Sequence, residues 1–390
     1  MSIVLTNTDQ YGTYHVGDRS FYSKLEAIMH SRNCGKSIEW KYQHTEFSKH
    51  NWTQEPSESL WELYTKRAYQ LREKYNYLIL MYSGGADSNN VLDVFERNNI
   101  PIDEIKMSYV GEISDLKTLD LPANREIYYS ALPRAKALQK KWPTLKIEVI
   151  NGQPAMIASL SGDLDLLHFG KNMSFNLWQR TRVGITMEGD QEWLADVSSN
   201  KSIAIIYGKD KTQVSKVNNR YAIQFSDSSI NGNLETLPDN YHHEYFYWSS
   251  EHIKILIKQG HVLKKFFREA DTNPQWFTEN AKYFCKDNSR QWLYSKIDIN
   301  NRSIALNNAC YNTLMYPYYD KQVYDVGKLE WQTVSQIVQD TFYHDQNLKQ
   351  QLNDYLKQLL HWYKDGYMHT NFDLQRGPII CFDQPWFLET

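Results

Sequence analysis

The chain has 390 residues, which is enough for one large domain or for two to three ordinary ones. Its 43 lysines and arginines nearly balance its 46 aspartates and glutamates, and the formal net charge is −3. A protein that coats nucleic acid would be strongly basic, so this balance argues against that class. The four cysteines are scattered without a C-x-x-C pair, which argues against a disulfide framework and against a cysteine-built zinc site.

The N-terminus has no basic start, and its first apolar run is too short for a signal peptide. No stretch approaches the roughly 20 apolar residues of a membrane span. We therefore expect a cytoplasmic protein that does not interact with membranes.

The first predicted segment, 1–74, is mixed and polar. A strand is predicted in "TYHVGDRSFY" and a short helix in "SKLEAIMHS". A longer helix follows in "TQEPSESLWELYTKRAYQLREKY", with Ser57 as its N-cap and apolar residues at helical spacing.

The second predicted segment, 75–244, alternates strands and helices. The strands are "NYLILMY", "IDEIKMSYVG", "TLKIEVING" and "SIAIIYG". The helices are "NNVLDVFERNN" and "LPANREIYYSALPRAKALQKKW", and Pro133 must kink or divide the second one. This alternation predicts a doubly wound α/β fold with a mainly parallel sheet.

The third predicted segment, 245–390, is mainly helical. Its helical patterns are "SSEHIKILIKQGHVLKKFFREA", "EWQTVSQIVQDTFY" and "NLKQQLNDYLKQLLHWYKDG".

One loop stands at the end of the first buried strand and opens the next helix. It reads "SGGADS" and contains Ser83, Gly84, Gly85, Asp87 and Ser88. Glycines let backbone amides approach an anion, the helix N-terminus adds partial positive charge, and serine hydroxyls add neutral donors. The loop is not a Walker A motif, because G-x-x-x-x-G-K-[ST] is absent.

This stretch resembles the S-G-G-x-D-S signature of the PP-loop, or N-type, ATP pyrophosphatases, which include asparagine synthetase and several tRNA-modifying enzymes. The resemblance implies an adenine nucleotide alpha hydrolase-like fold that uses ATP and Mg²⁺. Ser83, Gly84, Gly85 and Ser88 would bind the departing pyrophosphate, while Asp87 would shape the loop or help to place the metal ion.

Two further elements are assigned from the same resemblance. The end of the second strand, around Ser108, Tyr109 and Val110, would contact the adenosine. Gly208 and Asp210 in "IIYGKDKTQV" resemble the Gly-x-Asp element that faces the adenylate in asparagine synthetase-like enzymes. Here a lysine replaces the acidic residue that comes next in the family. A charged turn on the surface is therefore a nearly equal alternative interpretation of this stretch.

Asparagine synthetase-like enzymes also use a late lysine that stabilises charge during adenylation. Lys321 and Lys328 are the candidates for that role, and Lys328 is slightly preferred.

The glutaminase half of asparagine synthetase has no counterpart here, because Ser2 stands where that enzyme carries its cysteine. The amine would then be free ammonia, a group on the acceptor, or the product of a separate donor or glutaminase. The chain also resembles the stand-alone PP-loop proteins of large tailed phages, which would place it in the host cytoplasm.

These resemblances predict an AMP-forming ligase that adenylates a carboxylate or carbonyl oxygen, with a small molecule, nucleotide or nucleobase as acceptor. Two other hypotheses stay open. One is a nucleotide-sensing protein without turnover. The other is sulfur insertion into a tRNA base, which would require one of Cys285, Cys310 or Cys381. The sequence leaves the oligomeric state undetermined.

Two polar clusters have competing interpretations. His242, His243, Glu244 and His252 could bind a metal, but a partly buried aromatic segment is the more common meaning of such a stretch. The lysines of "IKQGHVLKK" could line an anionic substrate's cleft, but a solvated helix face is the commoner case.

Overall fold

A computed structural model describes eleven ranges of the chain. They are 12–21, 24–109, 113–114, 124, 126–151, 201–208, 212–225, 240–272, 311–312, 314–318 and 383–390.

A small antiparallel sheet forms near the N-terminus. Its strands are β1 (Thr13–Val16), β2 (Arg19–Phe21) and β3 (Ile38–Lys41), with β1 in the middle. Helices α1 (Lys24–Cys34) and α2 (His44–Phe47) lie before and after β3. The alternating burial of β1 is that of a strand with one face on the core.

The central element is a parallel sheet of five strands. In chain order they are β4 (Tyr77–Met81), β5 (Glu104–Tyr109), β6 (Lys146–Asn151), β7 (Ile203–Tyr207) and β10 (Tyr241–Tyr245). Across the sheet the order is β10-β7-β4-β5-β6. The middle residues of β4 and all of β7 are buried, as expected for strands covered on both faces.

Helices flank this sheet. They are α3 (Leu60–Lys74), α4 (Ala86–Arg97), α5 (Leu132–Lys141) and α6 (Lys254–Thr272). A single π-helical turn, Ile127–Ala131, leads directly into α5, and Pro133 lies in the first turn of α5. The helical pattern is thus divided near the proline, as the sequence predicts. Helix α3 packs against both α4 and α6.

A third, antiparallel sheet joins distant parts of the chain. The hairpin β8 (Val214–Val217) and β9 (Arg220–Ile223) pairs with β11 (Trp386–Phe387). Helix α6 packs against β8 and β9, and Lys264 donates a hydrogen bond to the Leu388 carbonyl oxygen at 2.7 Å.

The α/β class and the parallel central sheet are confirmed. Strand β10 and the β8–β9 hairpin were not foreseen, and the two later helical patterns lie outside the described residues. Among the helices described, none combines the length and apolar character needed to cross a membrane.

The start of α3 corrects one prediction. Its N-cap is Ser59, and the expected Ser57 lies two residues earlier. Ser59 Oγ accepts a hydrogen bond from the Glu62 amide at 3.2 Å, and Glu62 accepts one from the Ser59 amide at 2.7 Å. This reciprocal capping box needs a glutamate three residues after the cap, a spacing that Ser57 lacks.

We predict that Ser59→Ala lowers the free energy of unfolding by about 1 kcal/mol, because the Glu62 amide loses its acceptor. Ser57→Ala is the matched control and should change it by less than about 0.5 kcal/mol. Urea unfolding of both variants would check this, and equal losses would contradict the assignment of the cap.

Candidate functional site

The signature loop lies at the point where the strand order reverses. Strands β5 and β6 lie on one side of β4, and β7 and β10 lie on the other. Ligands of open α/β sheets bind outside the carboxyl ends of the strands at such a switch point. The loop connects the end of β4 to α4, whose N-cap is Gly85.

The two signature serines are bonded to each other and to the loop backbone. Ser83 Oγ lies 3.2 Å from Ser88 Oγ, and Ser88 Oγ also accepts a hydrogen bond from the Ser83 amide at 3.3 Å. The Gly85 amide donates to Ser83 Oγ at 3.3 Å. Ser88 is buried whereas Ser83 is exposed, so the pair leads from the inside of the loop to solvent.

Both signature glycines are closely packed, and a side chain at either position would have to displace a neighbour. Gly84 has φ +78°, and a methyl group there would lie 3.0 Å from Ala131 Cβ. A methyl group on Gly85 would lie 3.2 Å from a carboxylate oxygen of Glu126 and 3.4 Å from Ser83 Oγ. The π-helical turn and the residue before it therefore lie directly against the loop.

Asn89 is a site residue that the sequence analysis missed. Its side-chain amide donates to the carbonyl oxygens of Gly84 and Gly85, the latter at 3.1 Å, and its own oxygen accepts the Tyr82 hydroxyl. Asn89 is fully buried. Two carbonyl acceptors on one side and a hydroxyl donor on the other leave one sensible orientation for the amide. The sequence does contain a sign of this role, which is an asparagine four to five residues after the two glycines, on the buried face of the helix.

These bonds fix the direction of two loop peptides. In a trans peptide the carbonyl oxygen and the next amide hydrogen point in opposite directions. Because Asn89 draws the Gly84 and Gly85 carbonyls inward, the amides of Gly85 and Ala86 point outward. The Gly85 amide indeed points toward the exposed Ser83 hydroxyl. The loop thus presents amide hydrogens at the N-terminus of a helix, which is an arrangement suited to an anion.

Asp87 is held by two tyrosines. Its Oδ1 accepts the Tyr316 hydroxyl at 2.5 Å, and its backbone carbonyl accepts the Tyr247 hydroxyl at 2.9 Å. Burial raises the pKa of Tyr316 well above its usual value, and the Asp87 carboxylate raises it further. Tyr316 therefore remains a hydrogen-bond donor at neutral pH.

Gly208 lies beside the loop, at the end of β7. A methyl group there would lie 2.9 Å from Ser88 Cα and 3.0 Å from the Asp87 carbonyl oxygen. The missing side chain lets the end of β7 contact the first turn of α4. This packing places Gly208 at the carboxyl end of β7, beside the loop, and gives a structural reason for glycine at this position.

The remaining predicted residues divide into two groups. Ser108 and Tyr109 end β5; Ser108 Oγ is buried without a hydrogen-bond partner among the described residues, and the Tyr109 side chain is fully buried. An adenosine contact from Tyr109 would therefore come from its backbone. The other predicted residues lie outside the described ranges: Val110, Asp210, Lys321 and Lys328.

The histidine cluster is split by its strand. In β10, His242 is exposed whereas His243 is buried, because neighbouring residues of a strand point to opposite faces and here only one face leaves its histidine exposed. Glu244 instead binds Arg67 at 2.6 Å and Lys74 at 3.2 Å, and so ties the sheet to α3. Within the described ranges, no three His, Cys, Asp or Glu side chains converge as metal ligands.

The lysine stripe of α6 is engaged in structural contacts. Lys258 and Lys265 both pair with Glu55 at 2.8 Å, and Lys254 pairs with Glu58 at 2.9 Å. These contacts attach the segment before α3 to α6, and they favour the structural interpretation of the stripe.

Comparison with protein-family models and with curated proteins found no match to this chain.

We predict that Asn89→Ala lowers the free energy of unfolding by roughly 1–3 kcal/mol, because the Gly84 carbonyl and the Tyr82 hydroxyl lose their side-chain partner. Asn98→Ala is the matched control. It removes an amide-to-carbonyl bond at the other end of α4, where Asn98 donates to Val94 at 2.8 Å, and should cost less than about 1 kcal/mol. Denaturant unfolding would measure both, and a larger loss for the control would contradict this account of the loop.

Proposed function

We propose that this protein is an ATP-dependent, AMP-forming ligase whose signature loop binds the β- and γ-phosphates of ATP. The observation that carries the proposal is the loop itself. The loop lies at the switch point of a parallel sheet. Two of its carbonyls point inward to Asn89, and the amides that follow them point outward at the N-terminus of a helix. The match of "SGGADS" to the PP-loop signature indicates that the anion is a nucleotide.

The electrostatics of the loop support an anionic ligand. Helix α4 is twelve residues long and begins at the loop, so the partial positive charge of its N-terminus lies where phosphate oxygens would bind. Ser83 and Ser88 add hydroxyls that can donate to the same oxygens. Negative charge develops on the pyrophosphate as its bond to the α-phosphorus breaks, so such donors would stabilise it as the leaving group.

The residues beside the loop fit a magnesium ion. Magnesium on nucleotide phosphates is bound through one or two carboxylates together with phosphate oxygens and water. Asp87 and Glu126 are carboxylates at the loop, and both would be placed to hold the ion; Asp210 is a further proposed ligand. When bound, Mg²⁺ would neutralise charge on the phosphates.

The finer fold assignment is also part of the proposal. Numbered by position along the chain, the parallel strands lie in the order 5-4-1-2-3 across the sheet. This order suits a doubly wound, adenine nucleotide alpha hydrolase-like domain.

The proposed chemistry is attack by a carboxylate or carbonyl oxygen on the α-phosphorus, followed by capture of the adenylate by an amine. Pyrophosphate leaves with the electrons of the broken bond between the α-phosphorus and the bridging oxygen. The protein would contribute positioning and charge stabilisation without a covalent intermediate. Tyr109, Val110 and Gly208 would face the adenylate, and Lys321 or Lys328 would stabilise the charge that forms.

The acceptor would be a small molecule, a nucleotide or a nucleobase, and the amine would come from ammonia or a separate donor protein. The reaction would take place in the cytoplasm.

We predict that the wild-type protein binds magnesium pyrophosphate and magnesium ATP in calorimetry. Ser83→Ala combined with Ser88→Ala, or Asp87→Ala, should weaken both at least ~10-fold, since each charge-assisted contact is worth about 1.5–3 kcal/mol. Gly85→Val should abolish binding, because its branched side chain would fill the space beside Glu126 and Ser83. Ser57→Ala, outside the site, should bind as the wild type does.

A second assay separates the ligase from other nucleotide-binding proteins. With a competent carboxylate present, the ligase exchanges labelled pyrophosphate into ATP. Formation of ADP would indicate cleavage at the γ-phosphate and would contradict the proposal. Binding of ATP without cleavage in the presence of many acceptors would favour a nucleotide sensor.

A further inference from the structure

The loop is contacted by a residue that lies very far away in sequence. Tyr316 donates its hydroxyl to Asp87 Oδ1 at 2.5 Å across a separation of 229 residues. Asp87 is the second residue of α4 and belongs to the signature loop. The bond therefore connects the loop with the late tyrosine segment, which we define as residues 311–312 and 314–318.

The late tyrosine segment is fixed independently of Asp87. Tyr64 of α3 donates to the Met315 carbonyl oxygen at 3.1 Å, and the Thr212 amide donates to the Tyr311 hydroxyl at 3.3 Å. At the other end, the Tyr318 ring lies 4.7 Å from the Trp61 ring and 3.7 Å beneath the Arg97 guanidinium. The segment that carries Tyr316 is thus held by α3, by α4 and by the residues before β8.

The contact is more specific than packing requires. Tyr316 is 3% exposed, and its ring lies 5.8 Å from the ring of Tyr247, which also bonds the Asp87 backbone. A phenylalanine would fill the same space. A buried hydroxyl that donates to a carboxylate forms a strong, directional bond and fixes the orientation of the acceptor. Partners of this kind orient carboxylates that bind metal ions.

We propose that Tyr316 is a positioning residue that orients Asp87 for magnesium-bound phosphates, so that the loop is competent only with the late tyrosine segment docked. This inference rests on the proposed function, because it assigns a role to Asp87 in binding magnesium and phosphate. It adds Tyr316 to the residues of the site and couples the loop to the C-terminal part of the chain. The loop signature contains neither feature.

The test is calorimetry of the full chain with pyrophosphate, once with saturating Mg²⁺ and once with EDTA. For Tyr316→Phe we expect the affinity with Mg²⁺ to fall roughly 10- to 100-fold, as for lost partners of metal ligands. The affinity in EDTA should change less than about 3-fold, since the loop amides remain. A purely structural role would weaken both to the same extent.

Tyr42→Phe is the matched control. It also removes one buried tyrosine hydroxyl, but that hydroxyl donates to the Trp248 carbonyl oxygen at 3.3 Å and accepts from the Gln43 side chain at 2.8 Å, and neither partner belongs to the loop or to the late tyrosine segment. It should keep the wild-type gain in affinity from Mg²⁺. If Tyr42→Phe loses that gain as fully as Tyr316→Phe does, the effect follows from losing any buried hydroxyl and the inference is overturned.

A double variant tests whether Tyr316 acts through Asp87. Adding Tyr316→Phe to Asp87→Asn should weaken binding with Mg²⁺ by less than about 2-fold beyond Asp87→Asn alone, because coupled residues are not additive. Full additivity would overturn the inference. Failure of the wild-type protein to bind pyrophosphate in either condition would overturn the proposed function and this inference together. Wild-type binding with an unchanged Mg²⁺ gain in Tyr316→Phe would overturn only the inference.

Discussion

The inward direction of two loop carbonyls determines what the loop can bind. The Gly84 and Gly85 carbonyls both accept the buried side-chain amide of Asn89, and the Gly85 carbonyl also accepts the Asn89 backbone amide at 2.9 Å and the Ser88 hydroxyl at 3.2 Å. These bonds direct the partial negative charge toward the protein, so that the amides and the helix N-terminus face the opening. Tyr82 completes the arrangement, because its hydroxyl bond to the Asn89 oxygen keeps the amide nitrogen on the carbonyl side.

The same loop is confined from three sides by residues of distant elements. Ala131 meets Gly84, Gly208 meets the first turn of α4, and Tyr316 holds Asp87. An added methyl group on either glycine would disturb the first two contacts, and loss of the Tyr316 hydroxyl would remove the third. Because these neighbours belong to the turn before α5, to the end of β7 and to the late tyrosine segment, the loop is the place where much of the described chain meets. A loop so confined is preorganised and loses little conformational entropy when it binds a ligand.

Much of the central domain follows from local patterns in the sequence. The apolar run of β4 and the helical spacing of α4 locate the loop between them, and those signals depend only on neighbouring residues. Strand β10 was missed because "YHHEY" consists largely of polar residues. In the fold, Arg67 neutralises its buried Glu244 and Tyr75 donates a hydrogen bond to it. Glu126 was missed because tertiary packing, not spacing, brings it to the loop. Asn89 is local, and its distance of four to five residues from the two glycines is the only sign of its bonds in the sequence. Tyr316 could not be found at all from a pattern, since no local rule joins residues so far apart.

The most direct test of the central claim is a crystal structure of the full chain with Mg²⁺ and α,β-methylene-ATP, in which a methylene bridge between the α- and β-phosphorus resists cleavage. The account predicts that the β- and γ-phosphate oxygens lie within hydrogen-bonding distance of the outward amides of the loop and of Ser83, with the α-phosphate outside the loop and open to attack. An analogue bound elsewhere, or one whose α-phosphate occupies the loop while its γ-phosphate projects away, would contradict it.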